Sequence, residues 1–477
     1  MLLKHSFFYA VARGMPGLVN FAALALYTRL LAPGDYGRYA LLVAGVGLVN
    51  VMVFQWLRLV VARFLQAKAL PGHFLGGILA QFYLLVAATS LTGLALAFLW
   101  PDPVWQRLLA LAVPLLVSQA ALELSLVVAS ARLEPGRYGV MLGSKALIAL
   151  SIGVLLAWVG FGVYAPVWGL IAGQCAALLL FGHHIWRNAK IRWPVAEERR
   201  QQLGYGLPLI VTFALAWVIS GSDRLLLAWL FDENAVGLYS AGYDLVFQSL
   251  TLLLTIINTA AYPLAVKAME HGGEAQARKQ LAHNGELIVA AALAGAVGLV
   301  VLAPAILTLF IGEAFRPGAA AILPMIAAAS ALSGIKAYHF DIAFHLGKRS
   351  HTLVWIAALA AVINVILNLL LIPLLGIAGA AWATLIAYSA ALLASALIGR
   401  RLYGMPPVPP ILGKGVVVAG FAAVAMWLPM TLAIHGLWVL PTSLFLSILP
   451  IIITTYALDV AGARRAWKKI VKKFHIR

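Results

Sequence analysis

Ionisable side chains stand inside stretches of this sequence that are otherwise apolar enough to cross a bilayer: Arg13, Arg58, Glu123 and Lys145 in the first half, and Asp223, Arg224, Asp244, Lys336, His339 and Asp341 in the second. A charge at the bilayer centre costs about 2.5–3.5 kcal/mol even on the lenient insertion scale, so each needs a partner or an aqueous cavity. Arg13, Arg58 and Lys145 lie about seven residues, roughly 10 Å, from the same end of their spans. They are placed to converge on one basic site. Guanidinium and ammonium groups there suit a phosphate, which guanidinium meets in bidentate fashion. Lys336 lies deeper, and Asp223 with Arg224 lies in the opposite half. The substrate-binding candidates are therefore Arg13, Arg58, Lys145, Arg224 and Lys336; the ion-coupling candidates are Asp223, Asp341, His339 and Glu123.

Each has a plainer reading. Long cationic side chains snorkel to headgroups over such distances. Arg13 is followed at i+3, i+4 and i+7 by Pro16, Gly17 and Asn20, a polar, kinkable face that suits a cavity wall. Asp223 and Arg224 project about 100° apart on a helix, so structural pairing with neighbouring spans is the alternative there. Lys336 with His339 (i, i+3) and Asp341 with His345 (i, i+4) form polar strips that read as a proton relay or as an interhelical hydrogen-bond network. Asn364 and Asn368 read as helix glue. No metal-ligand or nucleophile motif is present, and neither a metal, a cofactor nor covalent catalysis is expected.

The elements that must position these groups follow from composition. The 477 residues are 63% hydrophobic and only 10% charged, against about 25% charged in soluble domains, which defines an all-α polytopic membrane protein. At about 20 residues per crossing, spans fall near 7–31, 39–65, 74–100, 108–131, 138–159 and 163–186. A second set follows at 205–231, 237–264, 285–311, 319–346, 353–375 and 377–398, and two more at 412–434 and 437–458. That makes about fourteen. The net charge of +18 sits in short loops and the tail, as topology control requires, so a nucleic-acid partner is not expected. Lys and Arg concentrate in alternate loops, and this places both termini in the cytoplasm. The tail, GARRAWKKIVKKFHIR, brings Trp467, Ile470, Val471 and Phe474 together at helical spacing between lysines. It reads as an interfacial helix for anionic lipids. The single cysteine, Cys175, excludes an intramolecular disulfide.

The chain repeats itself. Gly37-Arg38-Tyr39-Ala40 is echoed by Gly237-Leu238-Tyr239-Ser240, and Gly162 to Trp168-Gly169 by Gly376 to Trp382-Ala383, so a six-span unit is copied once. The divisions expected are 1–186 for the first lobe, 187–204 for a cytoplasmic linker, 205–400 for the second lobe, 401–459 for the last two spans and 460–477 for the tail. Internal repeats in transporters place the working site between copies.

LYTRLLAPGDYGRYAL, at the end of the first span, and DRLLLAWLFDENAVGLYSAGYDL, after the seventh span, together resemble the polysaccharide transporter family. These are the oligosaccharide flippases of the multidrug/oligosaccharidyl-lipid/polysaccharide exporter (MOP) superfamily. The resemblance covers nearly the whole chain by topology. It implies two six-helix lobes around a central cavity with two additional C-terminal helices, alternating access, and a bacterial inner-membrane location. It also implies an undecaprenyl-diphosphate-linked oligosaccharide as cargo, moved to the periplasmic leaflet for envelope or exopolysaccharide synthesis. Related lipid II flippases place arginines of the first two spans in the cavity, and Arg13 and Arg58 stand on comparable spans. Two competing readings remain: a multidrug cation antiporter of the same superfamily, and a non-catalytic membrane subunit partnered with a polysaccharide polymerase or export machinery. A membrane glycosyltransferase would need larger loops than 187–202 or 267–284.

Overall fold

The computed structural model describes residues 2–67, 70–347, 349, 351–403, 408–431, 438–465 and 467, without the side chains of 2–15, 402, 403, 408, 409, 430 and 431. The side chain of Arg13 and the tail positions Ile470, Val471 and Phe474 lie outside the described residues. The elements are helical throughout: α1 (Leu2–Leu30), α2 (Pro33–Phe64), α3 (Pro71–Leu99), α4 (Pro103–Ala131), α5 (Pro135–Trp158), α6 (Tyr164–Trp186), α7 (Ala196–Leu230) and α8 (Glu233–Val301). They continue with α9 (Ala303–Phe310), α10 (Glu313–Leu346), α11 (His351–Leu375), α12 (Ile377–Tyr403), α13 (Val408–Thr431) and α14 (Val439–Ala457). Twelve are long and apolar enough to cross a membrane. One of these, α8, has 69 residues and is broken at Gly273 (φ 67), so it serves as two crossings. The count among the described residues is roughly consistent with the fourteen spans expected.

Local chemistry sets the helix starts. Proline opens α2, α3, α4 and α5, where its missing N–H costs nothing and its fixed φ is already helical. Asp102 caps α4 by accepting from the Val104 and Trp105 amides, both at 2.8 Å. Gly162 (φ 53) and Gly376 (φ 59) are both left-handed just ahead of α6 and α12. The tryptophans six residues on, Trp168 and Trp382, are 43% and 44% exposed. The second sequence echo is therefore a conformational one. Further exposed tryptophans, Trp158, Trp229, Trp355 and Trp438, stand at or near helix ends, where a membrane interface favours an amphipathic ring.

The chain divides into two compact units, Met1–Ser240 and Ala241–Arg477. In the first, α2 packs on α4 and α7, α3 on α4, and α5 on α1 and α6, around Phe54, Leu57, Ile78, Leu115 and Leu124. The α5–α6 contact is made by small residues. A Cβ at Gly169 would lie 2.5 Å from the Ala149 carbonyl oxygen and 2.7 Å from the Gly153 Cα, which is the backbone-to-backbone approach that glycine permits in membranes. Gly169→Val is expected to lower stability by about 1–3 kcal/mol through overpacking. Gly420→Ala, inside α13 at a position open to space, should hold or slightly raise the thermal unfolding midpoint in detergent, since alanine favours a helix interior.

In the second unit, α12 packs on α10 and α11, and α13 on α14. Glu286 of α8 ties the C-terminal end down by accepting from Lys414 Nζ (2.6 Å) and the Ala461 amide (2.7 Å). Two segments expected as loops contain helix. Residues 267–284 continue α8 apart from the break at Gly273, and α7 begins at Ala196.

Candidate functional site

Arg58 of α2 faces Glu123 of α4. An Arg58 guanidinium nitrogen, Nη1, is paired with Glu123 Oε2, which also accepts from Asn50 Nδ2 at 2.9 Å. Glu123 Oε1 accepts from Gln119 Nε2 at 3.0 Å. One binding candidate, Arg58, and one ion-coupling candidate, Glu123, are thus neighbours. Arg58 is 8% exposed, and its Nε, like Asn50 Oδ1, has no hydrogen-bond partner among the described residues. Buried polar groups are ordinarily paired, so the cluster retains one donor and one acceptor that its own residues leave unused. Lys145, on α5, forms no ion pair among the described residues; its carbonyl lies against Gly173 of α6.

Asp223 and Arg224 are held by the neighbouring residues of the first sequence echo. Tyr239 donates to Asp223 Oδ2 at 2.6 Å, with both residues buried, and Arg224 Nε donates to Ser240 Oγ at 3.0 Å. Both residues thus reach hydroxyl groups at the start of α8. The glycine of that echo makes a second contact. A Cβ at Gly37 would run into the Glu233 carbonyl, and one at Gly237 into the Pro33 carbonyl. The ends of α2 and α8 therefore meet reciprocally, backbone on backbone. Arg38 lies 3.8 Å from Glu233 and 3.6 Å from Asp35, and Trp105 Nε1 donates to Glu233 Oε1 at 3.1 Å.

In the second unit, Lys336 pairs with Asp341 at 2.6 Å, and Ser395 donates to the other carboxylate oxygen at 2.9 Å. A π-helical stretch, Lys336–Phe340, starts at Lys336 and is capped by Asp341. It brings i and i+5 together, so Lys336 meets Asp341 across the grouping that ordinary helical spacing suggests. His339 is 1% exposed, and neither ring nitrogen has a partner among the described residues. Asn50, Gln119 and Ser395 are partners that sequence reasoning missed. Only Gln119, four residues before Glu123, left a readable signal.

These features define a multi-pass helical membrane protein with polar and charged side chains engaged inside its apolar helices. The family model described as "Polysaccharide biosynthesis protein" matches residues 26–320, and the chain belongs to that family. No curated protein matches the sequence. Among solved structures, the lipid II flippase MurJ in an inward closed conformation is similar with a TM-score of 0.79 at 14% identity, over 95% of this chain and 99% of that one. An inward-facing MATE-family multidrug transporter gives 0.60 at 13% identity over 83% and 98%. The Vibrio cholerae MATE transporter VcmN D35N mutant gives 0.54 at 15% over 85% and 98%. At these identities the likeness is one of fold.

Proposed function

We propose that this protein is a flippase for an undecaprenyl-diphosphate-linked oligosaccharide, carrying it from the cytoplasmic to the periplasmic leaflet of a bacterial inner membrane by alternating access. The observation that carries the reading is the unused donor capacity of Arg58, buried in the membrane on a chain of the polysaccharide biosynthesis family. A diphosphate crossing hydrocarbon needs charge-assisted donors, and the prenyl tail remains in lipid meanwhile. Glu123 holds Arg58 while the site is empty. Diphosphate drawn onto the guanidinium displaces the carboxylate, which takes a proton, so that substrate and ion exchange on one pair. Arg13, Lys145, Arg224 and Lys336 serve as further basic contacts along the path, and Asp223, Asp341 and His339 as further ion sites. The basic tail anchors on anionic lipid.

The test is polymer export and the level of lipid-linked intermediate in cells bearing Arg58→Ala, Arg58→Lys or Arg13→Ala at matched abundance. Loss of export by about tenfold or more in the alanine variants, with intermediate accumulating on the cytoplasmic side, is the expected result. Normal export in both alanine variants would overturn it. The cation-antiporter reading predicts instead that purified protein moves a cationic dye in proteoliposomes. Glu123 and Asp341 already hold Arg58 and Lys336, which argues against carboxylates free for a cationic drug.

A further inference from the structure

The first turns of α7 carry a concave site separate from the Arg58 cluster. Its cavity, about 540 Å³, is lined by Ala196, Arg199, Arg200, Leu203, Gly204, Leu207 and Pro208, within the size range of small-ligand sites. The chemistry is graded along the helix. Arg199 and Arg200 are its charged lining residues, and neither makes an ion pair among the described residues; the nearby Glu198 is held by both of its oxygens at 2.8 Å by Arg192. One and two turns on come Leu203 and Leu207, the latter 46% exposed. Gly204 between them leaves open space, since a Cβ there would meet nothing within 4 Å. The opposite face of this segment is fixed, with Gly206 against Trp56 of α2 and Tyr205 edge-on to Phe64 at 5.4 Å. Tyr205 marks the headgroup level.

A site with two guanidinium groups that have no ion-pair partner among the described residues, set near Tyr205 and followed by Leu203 and Leu207, is complementary to a lipid with a multiply charged phosphate head. Its level relates it to the transport site. Gly206 touches Trp56, two residues from Arg58, and Arg200 lies six residues, about 9 Å, back toward the helix start. Arg58 is committed to Glu123 before substrate arrives, so first capture of a diphosphate falls to guanidinium groups that are not paired. We infer that Arg199 and Arg200, with Leu203 and Leu207 beneath them, form a loading site for a prenyl-diphosphate lipid at the start of α7, ahead of transfer to Arg58. The inference rests on the flippase reading and adds to it a place where substrate waits.

The experiment uses the full-length protein in phosphatidylcholine nanodiscs, titrated with undecaprenyl diphosphate, with bound lipid read by native mass spectrometry. Wild type is compared with Arg199→Gln/Arg200→Gln and Arg199→Lys/Arg200→Lys, each first shown to unfold at the wild-type temperature. The glutamine variant is expected to bind about tenfold or more weakly, the lysine variant within about threefold of wild type, and undecaprenol, which lacks phosphate, equally to all three. Wild-type affinity in the glutamine variant would overturn the loading site and leave the flippase reading standing. Displacement of undecaprenyl diphosphate by equimolar phosphatidylglycerol would also overturn it, by showing a general phospholipid site. A wild type that binds no undecaprenyl diphosphate would overturn the flippase reading, and the loading site with it.

Discussion

Valine at position 37 is expected to stop the ends of α2 and α8 from meeting, and to reduce transport with it. The Cβ that Gly37 lacks would fall on the Glu233 carbonyl, where no side chain can rotate away. Overpacking of this kind costs about 1–3 kcal/mol, which changes the population of the closed arrangement by roughly 5- to 150-fold. Gly237→Val should do the same from the other side, against the Pro33 carbonyl. The direct readout is cross-linking of Arg38→Cys to Glu233→Cys by a short bifunctional thiol reagent, with Cys175 replaced by serine. The two native side chains approach to 3.8 Å, so the pair should couple readily in the parent and poorly when valine is added. Equal yields in both would show that the crossing tolerates the extra atoms.

The second large effect concerns the Arg58–Glu123 pair. Arg58→Ala leaves a carboxylate among Asn50 and Gln119 with no counter-charge, and loss of one member of a buried pair costs about 3–5 kcal/mol. Glu123 keeps a third of its side-chain exposure, so its orphaning belongs at the lower end. Glu123→Ala, which strands the more deeply buried guanidinium, should cost more. The double variant should cost less than the two together, because each single change already forfeits the shared interaction. Thermal unfolding in one detergent measures all three. The exchanged pair Arg58→Glu/Glu123→Arg separates stability from function: it should recover much of the stability while leaving transport low, because the phosphate donor has moved from α2 to α4. Full transport in the exchanged protein would show that only neutrality matters at the site.

The span count was legible because hydrocarbon imposes one rule on every crossing: about 20 apolar residues with satisfied backbone. The two echoes were legible because their glycines have backbone duties, left-handed φ at Gly162 and Gly376 and close approach at Gly37 and Gly237. Hydropathy reads 267–284 as a loop because its Glu, Gln, Arg and Lys residues are polar. These same residues are good helix formers, so the helix runs on through them to either side of Gly273. The candidate site was half visible. Arg58 and Glu123 stand out as charges in apolar runs, but they lie on separate helices, and only the packing of α2 on α4 makes them partners. Lys336 and Asp341 were masked by geometry, since a period of 3.6 sorts them into different strips and a π turn reunites them.

The reciprocal approach at Gly37 and Gly237 limits how this end of the protein moves. A contact cushioned by side chains loosens by degrees as rotamers adjust, and its strength is tunable at many positions. Here carbonyl oxygen meets the hydrogens of a glycine on both sides, with nothing flexible between. Two packed backbones are either seated or apart, and intermediate separations forfeit the dispersion contact without admitting water or lipid. The crossing is therefore expected to open as a latch does, in one step, with Arg38, Glu233 and Trp105 at its perimeter adjusting its hold.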